Sequence, residues 1–291
     1  MKSSSYKAKV ALLTAMVIWS TSFVVLKAVF RTYDPMFVIW GRQILASIAF
    51  LFVIKSLWKR CRYNPGDIKY LLLMSLFEPC LYFVFEAMAI VNTTASQAGI
   101  LTSMLPLLVA VAAFFTLKER TTPLTWFGFL TAIAGAVVLS GFSEVTEEAP
   151  NPVLGNFFEF MAMVCATGYT ISLKKLSARY NPFFLTAVQC FVGSVFFFPL
   201  IFISGKGLPA DFVLMPALGI IYLGLIVTIG AYGMYSVGIS SVKAGTAAAF
   251  VNLIPVFTIF WGWLFLGETM NMFQYGGCAL VFFGVYLSQR R

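Results

Sequence analysis

The sequence predicts an all-α integral membrane protein, with ten transmembrane helices arranged as two inverted five-helix repeats. Three observations carry that expectation. Sixty per cent of the 291 residues are hydrophobic and only 11% are charged. A soluble domain carries roughly 25% charged residues, so there is too little polar surface here to face water. Apolar runs of about 20 residues, long enough to cross about 30 Å of hydrocarbon as a helix, recur from end to end. Finally, SMLPLLVAVAAFFTLKE at 103–119 and NLIPVFTIFWGWLFLGE at 252–268 share one layout, a proline (Pro106, Pro255) inside an apolar run that a glutamate (Glu119, Glu268) closes.

Taken in order, the apolar runs place spans at 9–30, 36–57, 68–91, 95–117 and 123–141, then at 153–175, 182–203, 212–239, 244–266 and 271–288. The expected organisation is a first repeat over 1–141, an acidic extracellular linker over 142–152 (Glu144, Glu147, Glu148), and a second repeat over 153–291. An offset of 149 aligns Pro106 with Pro255, Glu119 with Glu268, Gly128 with Gly277 and Gly135 with Gly284. Nearer the N-terminus an offset of 147 aligns the Tyr-Asp-Pro at 33–35 with the Tyr-Asn-Pro at 180–182, and Ser47 with Ser194. Five helices per half is an odd number, so the halves must cross the bilayer in opposite directions. That architecture belongs to secondary transporters, with the solute site near the midplane.

Charge sets the expected orientation. Lys2, Lys7, Lys9, Lys55, Lys59, Arg60, Arg62, Lys69, Lys118, Arg120, Lys174, Lys175, Arg179, Lys243, Arg290 and Arg291 fall on one side of a ten-helix topology. Lys27, Arg31 and Lys206 fall on the other, and Arg42 lies within a span. Basic loops stay in the cytoplasm, so both termini are expected there, in a plasma membrane of the bacterial inner-membrane kind. The net charge of +9 is thereby an orientation signal and implies no nucleic-acid partner. Lys2, Lys7 and Lys9 ahead of an apolar run imitate a signal peptide, but the run is far longer than a signal core. The five cysteines are scattered, with neither a disulfide framework nor zinc spacing. With no histidine, P-loop, HExxH or GxSxG present, neither a metal nor another cofactor is expected, and ATP-driven or hydrolytic chemistry is disfavoured.

Several features together resemble a known family. Each half has a proline in its fourth helix, an acidic residue at that helix's end, and a glycine-punctuated fifth helix. The early Trp-Ser-Thr-Ser-Phe at 19–23, Lys27 and Arg42 add to the pattern. The chain resembles the drug/metabolite transporter superfamily, EamA branch, over nearly its whole length. The resemblance implies a carrier of small organic solutes, from amino acids to sugars, nucleotide derivatives or drugs. Glu78 and Glu86 are not part of the family pattern.

Ionisable groups at membrane depth are costly and usually functional. Glu78, Arg42, Glu86, Glu159 and Tyr82 are therefore the candidates for solute binding or coupling. Glu78, Tyr82 and Glu86 recur at i, i+4 and i+8, one face of a helix. Lys27, Arg42, Glu86 and Glu159 fall in one outer layer, where Arg42–Glu86 reads equally as an ion pair or a solute clamp, and Lys27 as a side chain snorkelling to the surface. Trp40, Tyr82, Tyr169 and Tyr235 are candidate cavity aromatics. Pro106, Pro255 and Pro79 are expected to kink helices beside the cavity, and Glu119 and Glu268 to anchor helix ends on nearby amides. The mixed charges favour an amino-acid-like solute, moved by alternating access with export as the expected direction. A nucleotide, sugar or drug carrier, and a membrane enzyme acting on lipid-linked substrates, are the alternatives. The fifth helix's small residues Gly128, Ala132 and Gly135 allow close packing within one chain or between two, so a monomer and a homodimer stay equally open.

Overall fold

The computed structural model describes residues 2–59, 61–117, 122–203 and 207–289, which are helical almost throughout. The first half contains α1 (Lys2–Phe30), α2 (Pro35–Leu51, with a further turn at Ile54–Trp58), α3 (Ile68–Asn92), α4 in two pieces (Ala95–Thr102 and Leu105–Leu117) and α5 (Pro123–Gly141). The second contains α6 (Pro152–Leu176), α7 (Pro182–Ile203), α8 (Leu214–Ser241), α9 in successive pieces from Ala244–Phe250 to Gly262–Leu266, and α10 (Met272–Gln289). Among the described residues, 7 helices are long and apolar enough to cross a membrane, while Pro35–Leu51 and Met272–Ser288 are shorter apolar helices. The 25-residue α6 is not among the seven, because it carries Asn156, Glu159, Lys174 and Lys175. Large apolar side chains such as Phe52, Leu130, Val195, Ile203 and Phe265 point outward and are exposed. Apolar surface on that scale is a liability in water and the normal state against lipid, so this is a multi-pass membrane protein.

Helix starts are written locally. Pro35, Pro123 and Pro152 occupy first-turn positions, where a proline loses no hydrogen bond. The Asp34 carboxylate accepts from the Met36 amide at 2.9 Å, and the Asn181 side chain accepts from the Phe183 amide at 3.0 Å. These two caps are 147 positions apart, the same offset that aligns their Tyr-Asx-Pro motifs.

Each half also breaks its third and fourth helices at matching places. In α3 two helical stretches meet at a kink within Leu76–Leu81, where Glu78 has non-helical backbone angles, and in α8 the chain widens into a π-helical segment at Leu223–Ala231. Pro79 sits in the first segment, and the Glu78–Pro79 bond is cis; the second segment contains no proline. In α4 the break falls at Ser103–Met104, just ahead of Pro106. In α9 a turn of 3-10 helix at Val251–Leu253 precedes Pro255. There the Val251 carbonyl, which the proline deprives of its usual partner, accepts from the Ile254 amide instead.

Equivalent helices of the two halves pack on each other. Ser47 of α2 and Ser194 of α7 are hydrogen-bonded at 2.9 Å, so residues that the repeat makes equivalent touch. The fifth helices meet through glycine: a Cβ built on Gly128 would lie 2.4 Å from the Gly284 carbonyl oxygen, and one on Gly135 would lie 2.7 Å from that of Gly277. Contacts that run 128 to 284 and 135 to 277 make α5 and α10 antiparallel. The small-residue face of α5 is thus used within the chain. Backbone cannot step aside for a side chain, and overpacking costs about 1–3 kcal/mol. Gly128→Leu is therefore expected to lower the melting temperature in detergent. Gly276→Ala, where nothing lies within 4 Å of the added carbon, should leave it unchanged.

Candidate functional site

The breaks in α3 and α8 open the middle of the molecule. A narrow central cavity is lined by side chains of α1, α2, α3, α4, α6, α8 and α9. Arg42, Glu78, Tyr82 and Glu86 all line it, and each is at least 92% buried.

Arg42 enters from α2. Its Nε donates to the Thr228 hydroxyl at 3.0 Å, and its guanidinium lies 4.5 Å above the Phe83 ring. Thr228 is placed by the widened turn of α8, since its hydroxyl donates to the Leu223 carbonyl at 2.8 Å, a bond that spans five residues. This leaves the hydroxyl's lone pairs for the arginine. The ion pairs formed among the described residues are Arg31–Glu148 at 3.0 Å and Arg179–Asp67 at 2.5 Å. Of the two readings of Arg42–Glu86, the direct ion pair is therefore not formed: Glu86 accepts instead from the Tyr82 hydroxyl at 2.9 Å, and Arg42 faces Glu86 through space.

Glu78 departs from the helical face expected of it. Its backbone is extended (φ −150°, ψ 117°), because Pro79 disfavours helical geometry in the residue before it. The i, i+4 spacing therefore does not operate at Glu78, yet the break turns the residue into the same cavity. Its carbonyl accepts from the Gln189 amide group at 2.8 Å, and the Tyr232 hydroxyl faces its carboxylate. Around these charges stands an aromatic wall. Trp19 meets Tyr232 and Tyr235 at ring distances of 4.9 Å each, and Tyr169 meets Tyr235 at 6.4 Å. Tyr82, Tyr169 and Tyr235 are cavity residues as expected. Trp40 is not; it packs on Phe37 and Phe198.

The other candidates lie around this centre. Glu159 of α6 is 0% exposed, does not line the cavity, and feels the charge of Glu86. Pro79 borders a smaller hollow shared with Gln43 and Gln189. Pro106 and Pro255 themselves stay out of the lining, which their preceding residues Leu105 and Ile254 join. Glu119 lies outside the described residues.

Lys27 differs most from expectation. It does not snorkel: it is 6% exposed and donates to the carbonyls of Ile90 at 2.6 Å, Thr93 at 2.8 Å and Glu148. The first two close the C-terminus of α3, where carbonyls lack helical partners and a cation suits the dipole. Glu268 takes the other side of the same turn, accepting from the Ala95 and Ser96 amides at 2.7 and 2.8 Å at the start of α4. Lys174, 147 positions after Lys27, donates to the carbonyls of Ile239 at 2.8 Å and Val242 at 2.5 Å, the same grip in the second half. From the sequence, Lys174 counts only toward orientation and Trp19 only toward the motif at 19–23, while Thr228 and Tyr232 carry no role. Of these, Lys174 carried a signal, its repeat equivalence to Lys27.

Lipid-facing helices wrapped round a buried, charged hollow define a membrane transporter as the class of protein. Residues 7–141 and again 153–289 match the EamA-like transporter family, and the chain belongs to that family, within the drug/metabolite transporter superfamily. It is 26% identical to the uncharacterized transporter YetK of Bacillus subtilis, over 97% of this chain and 86% of that one. It is 25% identical to a protein of Streptantibioticus cattleyicolor named "Probable terminal-alkyne amino-acid exporter", over 98% of this chain and 94% of that one. A solved crystal structure 19% identical in sequence shares the fold with a TM-score of 0.67, covering 97% of this chain and 96% of the other.

Proposed function

We propose that the protein is a secondary carrier that exports a small amino-acid-like solute across the bacterial inner membrane by alternating access. In this reading its ten helices form two inverted five-helix repeats, with both termini in the cytoplasm and the 142–152 linker outside. The inversion is supported by the antiparallel contact of the equivalent helices α5 and α10 and by the Ser47–Ser194 contact. The observation that carries the solute class is the cavity's charge pattern: Arg42 opposite Glu78 and Glu86, within aromatic walls. A solute ammonium group matches the carboxylates, a solute carboxylate matches the guanidinium, and an apolar side chain matches the rings. A phosphate ester would meet more negative than positive charge. The exporter name of one relative supports the direction.

The test is counterflow in liposomes. Purified protein preloaded with an unlabelled amino acid is expected to accumulate its labelled form, saturably, for at least one member of an amino-acid panel. Flux that never saturates, or no member moved, would overturn the solute assignment. For topology, a single cysteine placed in the 142–152 linker should react with an impermeant reagent added outside intact cells. One placed at 62–66 should be protected.

A further inference from the structure

Glu159 has no place in the solute scheme, yet it is the more demanding carboxyl. It is fully buried, and neither Oε1 nor Oε2 has a hydrogen-bond partner. Glu86 has Tyr82, and Glu78 faces Tyr232. The titratable groups that face Glu159 are Glu86 and Tyr82, both from α3. Of the other helices packed on α6, α4, α5 and α9 bring no titratable side chain among the described residues. Tyr232 and Tyr235 of α8 are turned to Glu78, and Lys27 of α1 is occupied by three carbonyls.

Partners then separate the carboxyls. Arg42 balances one of the two lining carboxylates, and a zwitterionic solute adds no net charge. An ionised Glu159 would be a second bare negative charge beside Glu86, without a donor, in a region closed to water. Burial of that kind is met by neutralising the group. Glu86 has the Arg42 guanidinium and the Tyr82 hydroxyl facing it and Glu159 has neither, so of the pair Glu159 is the carboxyl placed to carry a proton.

We propose that Glu159 is a dedicated proton site, separate from the solute-binding carboxylates, through which solute movement is coupled to a proton. The proton leaves a Glu159 carboxyl oxygen as H⁺ and is taken up by the Glu86 carboxylate, leaving Glu159 ionised and Glu86 neutral. Glu86 lines the cavity and passes the proton to water when the cavity opens, and reprotonation retraces these steps. The coupling half of the proposal rests on the transport reading above; the protonation of Glu159 does not.

Infrared difference spectroscopy of the whole protein in lipid, between acid and alkaline buffer, tests the proton site with no solute present. The parental protein is expected to show the carbonyl stretch of a neutral carboxyl shielded from water. That band should vanish in Glu159→Gln, shift in Glu159→Asp and persist in Glu78→Gln. In liposomes, a pH gradient should drive net flux of a labelled amino acid that shows counterflow, and Glu159→Gln should lose this gradient-driven component. A parental spectrum without the band, or a band or gradient-driven flux that survives Glu159→Gln, overturns the proposal. Should Glu159→Gln fail to fold, an unshifted band in Glu159→Asp overturns it equally. Failure of counterflow in the parental protein would count against the transport reading and leave the infrared result to decide the proton site.

Discussion

Glu78→Gln is expected to leave the protein folded and to stop solute movement. The substitution keeps the shape of the side chain and its ability to accept from Tyr232, and removes only the charge. Burying an ionised carboxylate is costly, so melting in detergent should occur at or above the parental temperature. Counterflow per folded protein should fall at least about a hundredfold, since an amine–carboxylate contact in a buried site contributes on the order of 3 kcal/mol. Glu86→Gln should behave differently, because it leaves the buried Arg42 facing Glu78 alone and should lower both stability and flux. Parental counterflow in Glu78→Gln would move the search for the ammonium site to Glu86.

The second large effect is expected on stability. Lys27→Met removes the donor shared by the carbonyls of Ile90, Thr93 and Glu148 and leaves them buried without it. Hydrogen bonds to charged groups contribute about 1.5–3 kcal/mol each, and the gain from no longer burying an ammonium offsets part of the loss. A net destabilisation of roughly 3 kcal/mol is expected, read as a lower melting temperature together with faster labelling of a cysteine in the 142–152 linker. Lys27→Arg should not restore it, because a planar guanidinium cannot direct its donors at three converging carbonyls as a compact ammonium does. Lys174→Met should cost less, since Lys174 is only part-buried and meets two carbonyls. Equal losses at the two positions would contradict this reading of the asymmetry.

Much of the architecture was legible because the bilayer enforces simple rules. Apolar length marks seven of the helices among the described residues, and proline marks the breaks in α4 and α9. The matching break in α8 was hidden: no proline lies in Leu223–Ala231, and a π-helical widening has no fixed residue signature. The charged cavity was legible as residues but not as pairings. Arg42 and Glu86 suggested a bridge by sign and depth alone, whereas the arginine's partner is a hydroxyl 186 positions away. Lys27 was misjudged for a similar reason. Its length suits snorkelling, and the carbonyls that capture it belong to a turn and a loop far along the chain. Glu268 anchors amides as its position at a helix end suggests, but the amides it holds, those of Ala95 and Ser96, belong to the other half.

The turn between α3 and α4 also has a consequence in time. Its carbonyl side is gripped by Lys27, made 63 residues before Ile90, and its amide side by Glu268, made 173 residues after Ala95. During synthesis the lysine waits in the membrane for α3 to arrive, and the start of α4 waits for almost the whole remaining chain. Until Glu268 leaves the ribosome, the first half has inserted but its α3–α4 corner is fastened on one side only. The fragment is therefore expected to present that corner to quality-control proteases for most of translation, and the last helices close a structure begun by the first.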